Sequence, residues 1–215
     1  DINIGTLNQN TIPAMLLAGK KANELGRVVL LDPVGAGASR LRTDTAEKLM
    51  EQVHFDAVRG NISEIKALFA GGGSTRGVDA EAVDAVTDAT LDRAVSFVKE
   101  SAAQAGCVVA VTGAIDLVSD GGRCYVMRNG RSEMSRITGT GCQLSALMTA
   151  FLAANPGGRL DAAAAAVCAM GLAGQTGWAN MRPADGNSTY RNRIIDAVFN
   201  MTGEELEAGA RYEIR

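Results

Sequence analysis

Clusters of positive charge are missing from this 215-residue sequence: 21 Lys and Arg are scattered against 24 Asp and Glu, a net charge of −3. Nucleic-acid binding draws its affinity from grouped cations on phosphate, so that class is excluded. Long apolar runs are missing too. The most nearly continuous one, residues 162–174, is too short and too rich in Ala and Gly to span a bilayer. Histidine occurs once, at His54, and the four cysteines at 107, 124, 142 and 168 form no Cys-x-x-Cys pair. That leaves too few ligands for a zinc site within the chain. Wide cysteine spacing without a signal-peptide pattern points to reduced thiols and a cytoplasmic protein. Aromatic residues are scarce as well, with one Trp, three Tyr and five Phe. Glycine is the opposite case. Its 25 occurrences stand well above the usual ~7% without forming a repeat, as expected for loops that bring backbone close to a ligand.

The apolar pattern alternates short β-branched runs with longer helical stretches. Val28-Val29-Leu30-Leu31-Asp32 is a continuous apolar run ending in an acid, the mark of a buried parallel strand. Phe55-Asp56-Ala57-Val58 and Cys107-Val-Val-Ala-Val-Thr112 read the same way. Helices are predicted over about residues 10–25, 43–53, 61–69 and 88–105. Strand, helix and strand in this order build right-handed βαβ units and a largely parallel sheet covered on both faces. From residue 115 the rhythm changes. Asp116-Leu-Val-Ser119 and Cys124-Tyr-Val-Met127 flank Asp120-Gly-Gly122, a hairpin signal. A second turn at Arg128-Asn-Gly130 leads into residues 133–137, expected to extend this antiparallel edge. Further helices are predicted over 142–154, 160–177, 191–199 and 203–210. No linker divides the chain, so residues 1–215 are expected to form one α/β domain.

Three glycine turns follow strands. In Asp32-Pro-Val-Gly-Ala-Gly-Ala38, Arg40 stands where a dinucleotide fold needs its third glycine, so that fingerprint fails, and no Walker P-loop occurs. The loop is either a tight βα turn or a ligand site, and Asp32 at a strand's C-terminal end favours the site. In Arg59-Gly-Asn-Ile-Ser-Glu64, Asn61 and Glu64 have the spacing of a capping box. Glu64 would equally serve as a hard oxygen ligand for magnesium, and Arg59 as a cation for nucleotide phosphates. Thr138-Gly-Thr-Gly-Cys142 runs into an apolar helix, whose free N–H groups would receive negative charge. Cys142 is either a small packed thiol or a reactive one favoured by the helix dipole. His54 reads as a partly exposed cap, Trp178 as packing, and Ala162 to Ala166 as close helix contact.

Taken together, Asn3-Ile-Gly-Thr-Leu7, Leu31-Asp-Pro-Val-Gly-Ala-Gly-Ala38, Arg59-Gly-Asn-Ile-Ser-Glu64, Val111-Thr-Gly113 and Thr138-Gly-Thr-Gly-Cys142 resemble the hydroxyethylthiazole kinase family of the ribokinase-like superfamily. The motifs occur in family order over nearly the whole chain. The resemblance implies a three-layer αβα sandwich, with a mostly parallel sheet and antiparallel edge strands. It implies phosphorylation of the alcohol of 4-methyl-5-(2-hydroxyethyl)thiazole by ATP and Mg2+, for thiamin salvage. By the same resemblance, Arg59 and Thr112 bind ATP, Gly139 binds the substrate and Asp32 and Glu64 surround magnesium. Cys142 takes the place of the presumed base. A homotrimer with sites between subunits is implied, and a family segment that would precede residue 1. Two departures from the family pattern stand out: Ala114 replaces an acid, and Gly186-Asn-Ser-Thr-Tyr190 replaces Gly-Pro-Gly-[Ser/Thr]-Phe. The competing readings are a related hydroxymethylpyrimidine-type kinase and a non-catalytic paralogue that binds nucleotide or thiazole.

Overall fold

The computed structural model describes residues 1–70 and 85–215. The first half alternates strand and helix: β1 (Ile2–Asn3), α1 (Thr11–Glu24), β2 (Leu30–Asp32), α2 (Arg40–Gln52), β3 (Ala57–Gly60), α3 (Ile62–Phe69), α4 (Leu91–Ala105) and β4 (Val108–Val111). The hairpin β5 (Asp116–Ser119) and β6 (Cys124–Met127) follows, then four helices: α5 (Thr140–Ala154), α6 (Arg159–Ala179), α7 (Asn187–Asn200) and α8 (Gly203–Gly209). Strand β7 (Tyr212–Ile214) ends the series. The strands lie in the sheet in chain order, β1 to β7. β1 to β4 pair in parallel and the later neighbours antiparallel, so that β5 and β7 run against the rest among the described residues.

Every residue of β2, β3 and β4 is buried, because helices cover both faces of the sheet. Alternate side chains go to opposite layers. Leu31, Val58 and Val109 meet Leu49, Ile65 and Phe97 from α2, α3 and α4. Leu30, Ala57 and Val108 meet Met148, Leu152 and Val167 from α5 and α6. The result is the expected αβα sandwich.

The turn at Asp120 forms as its residues dictate. Asp120 Oδ1 accepts the Gly122 and Arg123 N–H groups, each at 2.9 Å, and Gly121 takes the left-handed φ of +95°. One expectation fails here. The stretch after the 128–130 turn does not extend the sheet: Ser132–Arg136 is a 3₁₀ helix, and β7 takes the edge position beside β6 instead. Asn129 is the cause. Its Oδ1 accepts the Arg211 N–H at 2.7 Å, and its Nδ2 donates to Gly209 O and Gln175 Oε1, drawing the C-terminal segment to β6. The alanines and glycines of α6 make the close approach possible. A Cβ on Gly171 would stand 2.7 Å from Cβ of Asn129, and one on Gly174 would overlap the Met134 sulfur.

His54 is exposed and exchanges two backbone hydrogen bonds with the Asn23 side chain, as expected of a helix-end residue rather than a base. Trp178 packs edge-on against Tyr190, with ring centroids 5.2 Å apart. All four cysteines are free thiols. Among the described residues, no helix is long and apolar enough to cross a membrane.

Candidate active site

Ligands of open α/β sheets gather at the carboxyl ends of the strands, and β2, β3 and β4 deliver Asp32, Arg59 and Thr112 there. Arg59 is only 9% exposed. Its Nη2 donates to Thr112 Oγ1 at 2.5 Å, and its Nη1 lies 3.8 Å from Asp32 Oδ1. Asp32 is fully buried. Its Oδ2 accepts from Asn3 Nδ2 at 2.8 Å and from Ser145 Oγ at 2.9 Å, while Oδ1 has no hydrogen-bond partner. Burial pushes the Asp32 carboxyl above its ordinary range. Arg59 and the two donors oppose that shift.

The third glycine loop closes over the guanidinium. A Cβ on Gly141 would lie 2.7 Å from Arg59 Nη1, so the cation fills the space a side chain would need. Gly139, in the left-handed region at φ +94°, opens α5, and no side chain caps that helix start. Its first amides are therefore available to an anion.

Glu64 does two jobs. The capping box forms, with Glu64 N donating to Asn61 Oδ1 at 2.9 Å and Asn61 N to Glu64 Oε2 at 2.8 Å. Its other oxygen, Oε1, accepts the Gly35 N–H at 2.9 Å and ties the first glycine loop to α3.

Arg59, Thr112 and Gly141 border a cleft of about 850 Å³. Asp116, Arg128 and Arg131 add polar and charged groups to its lining, and Leu144, Val167 and Met170 are its apolar part. Arg59 and Thr112 thus line the cleft. Asp32 and Glu64 stand behind it, connected through Arg59 and the glycine loop. Gly139 and Cys142 are outside its lining, and Cys142 is exposed on the first turn of α5. A second hollow of about 410 Å³ lies at the other end of the sheet, where Arg159 pairs with Asp56 at 2.8 Å.

Asp116 and Ser145 escaped the sequence reading. Ser145 lies one helical turn after Gly141, a spacing that signals a shared face. Asp116 carried no such signal. It sits at the cleft, with Oδ1 accepting the Gly113 N–H at 2.8 Å. Burial holds its carboxyl up at about 7, against that bond and Arg59. The folded value lies above the unfolded one, so stability is lost progressively as pH rises from about 4 to about 7. Asp116→Asn keeps an acceptor oxygen and removes the charge. It should match the parent near pH 4 and exceed it above pH 7 by roughly 1–3 kcal/mol, several degrees of Tm. Melting curves across that range would show no widening gap if the shift were absent.

Comparison with known proteins shows the family. Residues 1–204 match the sequence profile of the Hydroxyethylthiazole kinase family. A hydroxyethylthiazole kinase of Clostridium acetobutylicum is 54% identical over 213 residues, 99% of this chain and 78% of the relative. One of Methanoculleus marisnigri is 42% identical over 214 residues, covering 100% of this chain and 73% of the relative. The structure of the Pyrococcus horikoshii hydroxyethylthiazole kinase superposes with a TM-score of 0.85 at 30% identity, over 100% of this chain and 76% of that one. A Staphylococcus aureus pyridoxal kinase, 19% identical with a TM-score of 0.56 over 100% of this chain and 72% of its own, shares the ribokinase-like fold. The chain belongs to the hydroxyethylthiazole kinase family.

Proposed function

We propose that this chain transfers the γ-phosphoryl group of ATP to the hydroxyl of 4-methyl-5-(2-hydroxyethyl)thiazole, acting as a kinase of thiamin salvage. The observation that carries the reading is the Arg59 guanidinium. It is held between Thr112 and Asp32 and covered by Gly141, in the lining of a cleft that also takes in the first turn of the uncapped helix α5. Phosphoryl transfer asks for positioning and charge neutralisation more than for a strong base, and this arrangement supplies both.

In this reading Arg59 and Thr112 hold the ATP phosphates, and the amides from Gly139 onward receive the transferring group and the substrate. Cys142 orients the alcohol or takes its proton on Sγ. Toward magnesium, Asp32 offers Oδ1, a buried carboxylate oxygen without a hydrogen bond that faces Arg59, and Glu64 offers hard oxygens that already accept the Gly35 and Asn61 N–H groups, so both would act through bound water. Asp32 and Glu64 would hold the ion, which when bound neutralises charge on the phosphates. Residues 1–215 work as one kinase domain within a homotrimer. Leu17, Leu41 and Phe199 are exposed apolar side chains that such an assembly could cover. Four free thiols suit a cytoplasmic setting.

The test is ADP release with and without hydroxyethylthiazole and Mg2+. Thiazole-dependent release is expected. Absence of turnover with thermal stabilisation by thiazole or ATP would replace the kinase by a binding protein.

A further inference from the structure

Among the described residues, three arginines line the cleft, and two of them are already fixed in place. Arg59 is buried and shared between Thr112 and Asp32. Arg131 is held twice. Its Nε and Nη2 donate to the two carboxylate oxygens of Glu133 at 3.1 and 3.0 Å, and its guanidinium lies 5.3 Å from the Trp178 ring centroid.

Arg128 is different. Its Nη2 meets Asp88 Oδ1 at 2.7 Å, and both side chains are open to water, 44% and 80% exposed. Water already solvates such a pair, so giving up one carboxylate for a more highly charged anion costs little. A phosphate chain offers that anion, with several oxygens matched to the fork of a guanidinium. The base of the side chain, by contrast, is fixed. Arg128 N–H donates to Arg211 O at 3.0 Å, and the next residue is Asn129 with its bonds to α6 and the C-terminal segment. Arg128 therefore combines an anchored backbone with an exchangeable head at the wall of the cleft.

We propose that Arg128 is the phosphate-recruiting arm of this cleft. It exchanges Asp88 for the phosphate chain of a nucleotide, and Asp88 is the competing carboxylate that sets the affinity. The assignment rests on the reading of the cleft as the nucleotide site. It makes two exposed residues act with opposite signs, which a merely structural ion pair would not do. Loss of a structural pair would harm both variants alike.

Calorimetric titration of MgADP and of adenosine into the unmodified chain, Arg128→Gln and Asp88→Asn tests this. Arg128→Gln should bind ADP about ten-fold or more weakly, the scale of a lost charge-assisted hydrogen bond, with adenosine affinity unchanged. Asp88→Asn should bind ADP about two- to five-fold more tightly. Equal ADP affinity in the parent and Arg128→Gln would overturn the proposal and leave the nucleotide cleft standing. Equal weakening of ADP and adenosine would also overturn it, because the arginine would then be shaping the cleft. Weaker ADP binding by Asp88→Asn would remove the competitor role. If the unmodified chain binds no ADP, the reading of the cleft falls as well.

Discussion

Arg59→Ala should abolish measurable turnover and lower stability by about 3–5 kcal/mol, the cost of leaving one member of a buried ion pair uncompensated. For a chain of this length that is a fall in Tm on the order of 10 °C. The cause lies in Asp32, which is fully buried and has the Arg59 guanidinium as its facing cation. With the guanidinium gone, the carboxyl is pushed up further than burial already holds it. The sign with pH follows. A carboxyl raised in the folded state favours folding less as pH rises, so the variant's deficit should be larger at high pH than at low. Arg59→Ala combined with Asp32→Asn removes the stranded charge, and should regain most of the stability while turnover stays lost. Melting curves and a single-turnover assay on the two proteins check both halves. If the double variant were no more stable than the single, the ion pair would not be the source of the loss.

Cys142→Ala carries the second large effect. On the proposed role, in which Cys142 orients the alcohol or takes its proton, its loss should slow turnover about 10²- to 10⁴-fold, with ATP affinity little changed. Cys142→Asp puts a carboxylate at the same place and should keep activity. Both variants should fold normally, because Cys142 is exposed on the first turn of α5 and substitutions at such positions cost little. Any change in rate is then a change in chemistry. Full activity in Cys142→Ala would end the base role.

How much of this was legible in the sequence depended on whether the cause was local. Strands β2, β3 and β4 could be read because burial on both faces demands continuous apolar runs. The edges of those strands could not. The Val29 N–H donates to Asp56 Oδ2 at 2.8 Å, a side chain 27 residues away, so the ladder begins only at Leu30. Helix α2 starts at Arg40 rather than Thr43 because Ser39 accepts the Arg42 N–H and caps it. That signal was available and went unread. Three exposed residues are too few to announce β7, whose position is decided by Asn129 from the middle of the chain.

The same division runs through the site. Arg59, Thr112 and the glycine loop sit in motifs, where adjacent residues carry the resemblance. The facing of Asp32 to Arg59, the Ser145 hydroxyl on Asp32 and the exposed Arg128–Asp88 pair join residues from separate elements. Only the fold brings them together.

The chain-order sheet also bears on how this protein comes off the ribosome. Among the described residues, each strand from β2 to β6 pairs with the one made just before it, so this part of the sheet can grow in the direction of synthesis without waiting for later segments. The last pairing breaks that rule. β7 reaches β6 only after four intervening helices have been made. Until then β6 presents an open row of N–H and C=O groups, the template on which unfinished chains pair with one another. Strand β7 therefore protects a nascent edge, and its contribution should be felt more in the yield of soluble protein than in the chemistry of the cleft.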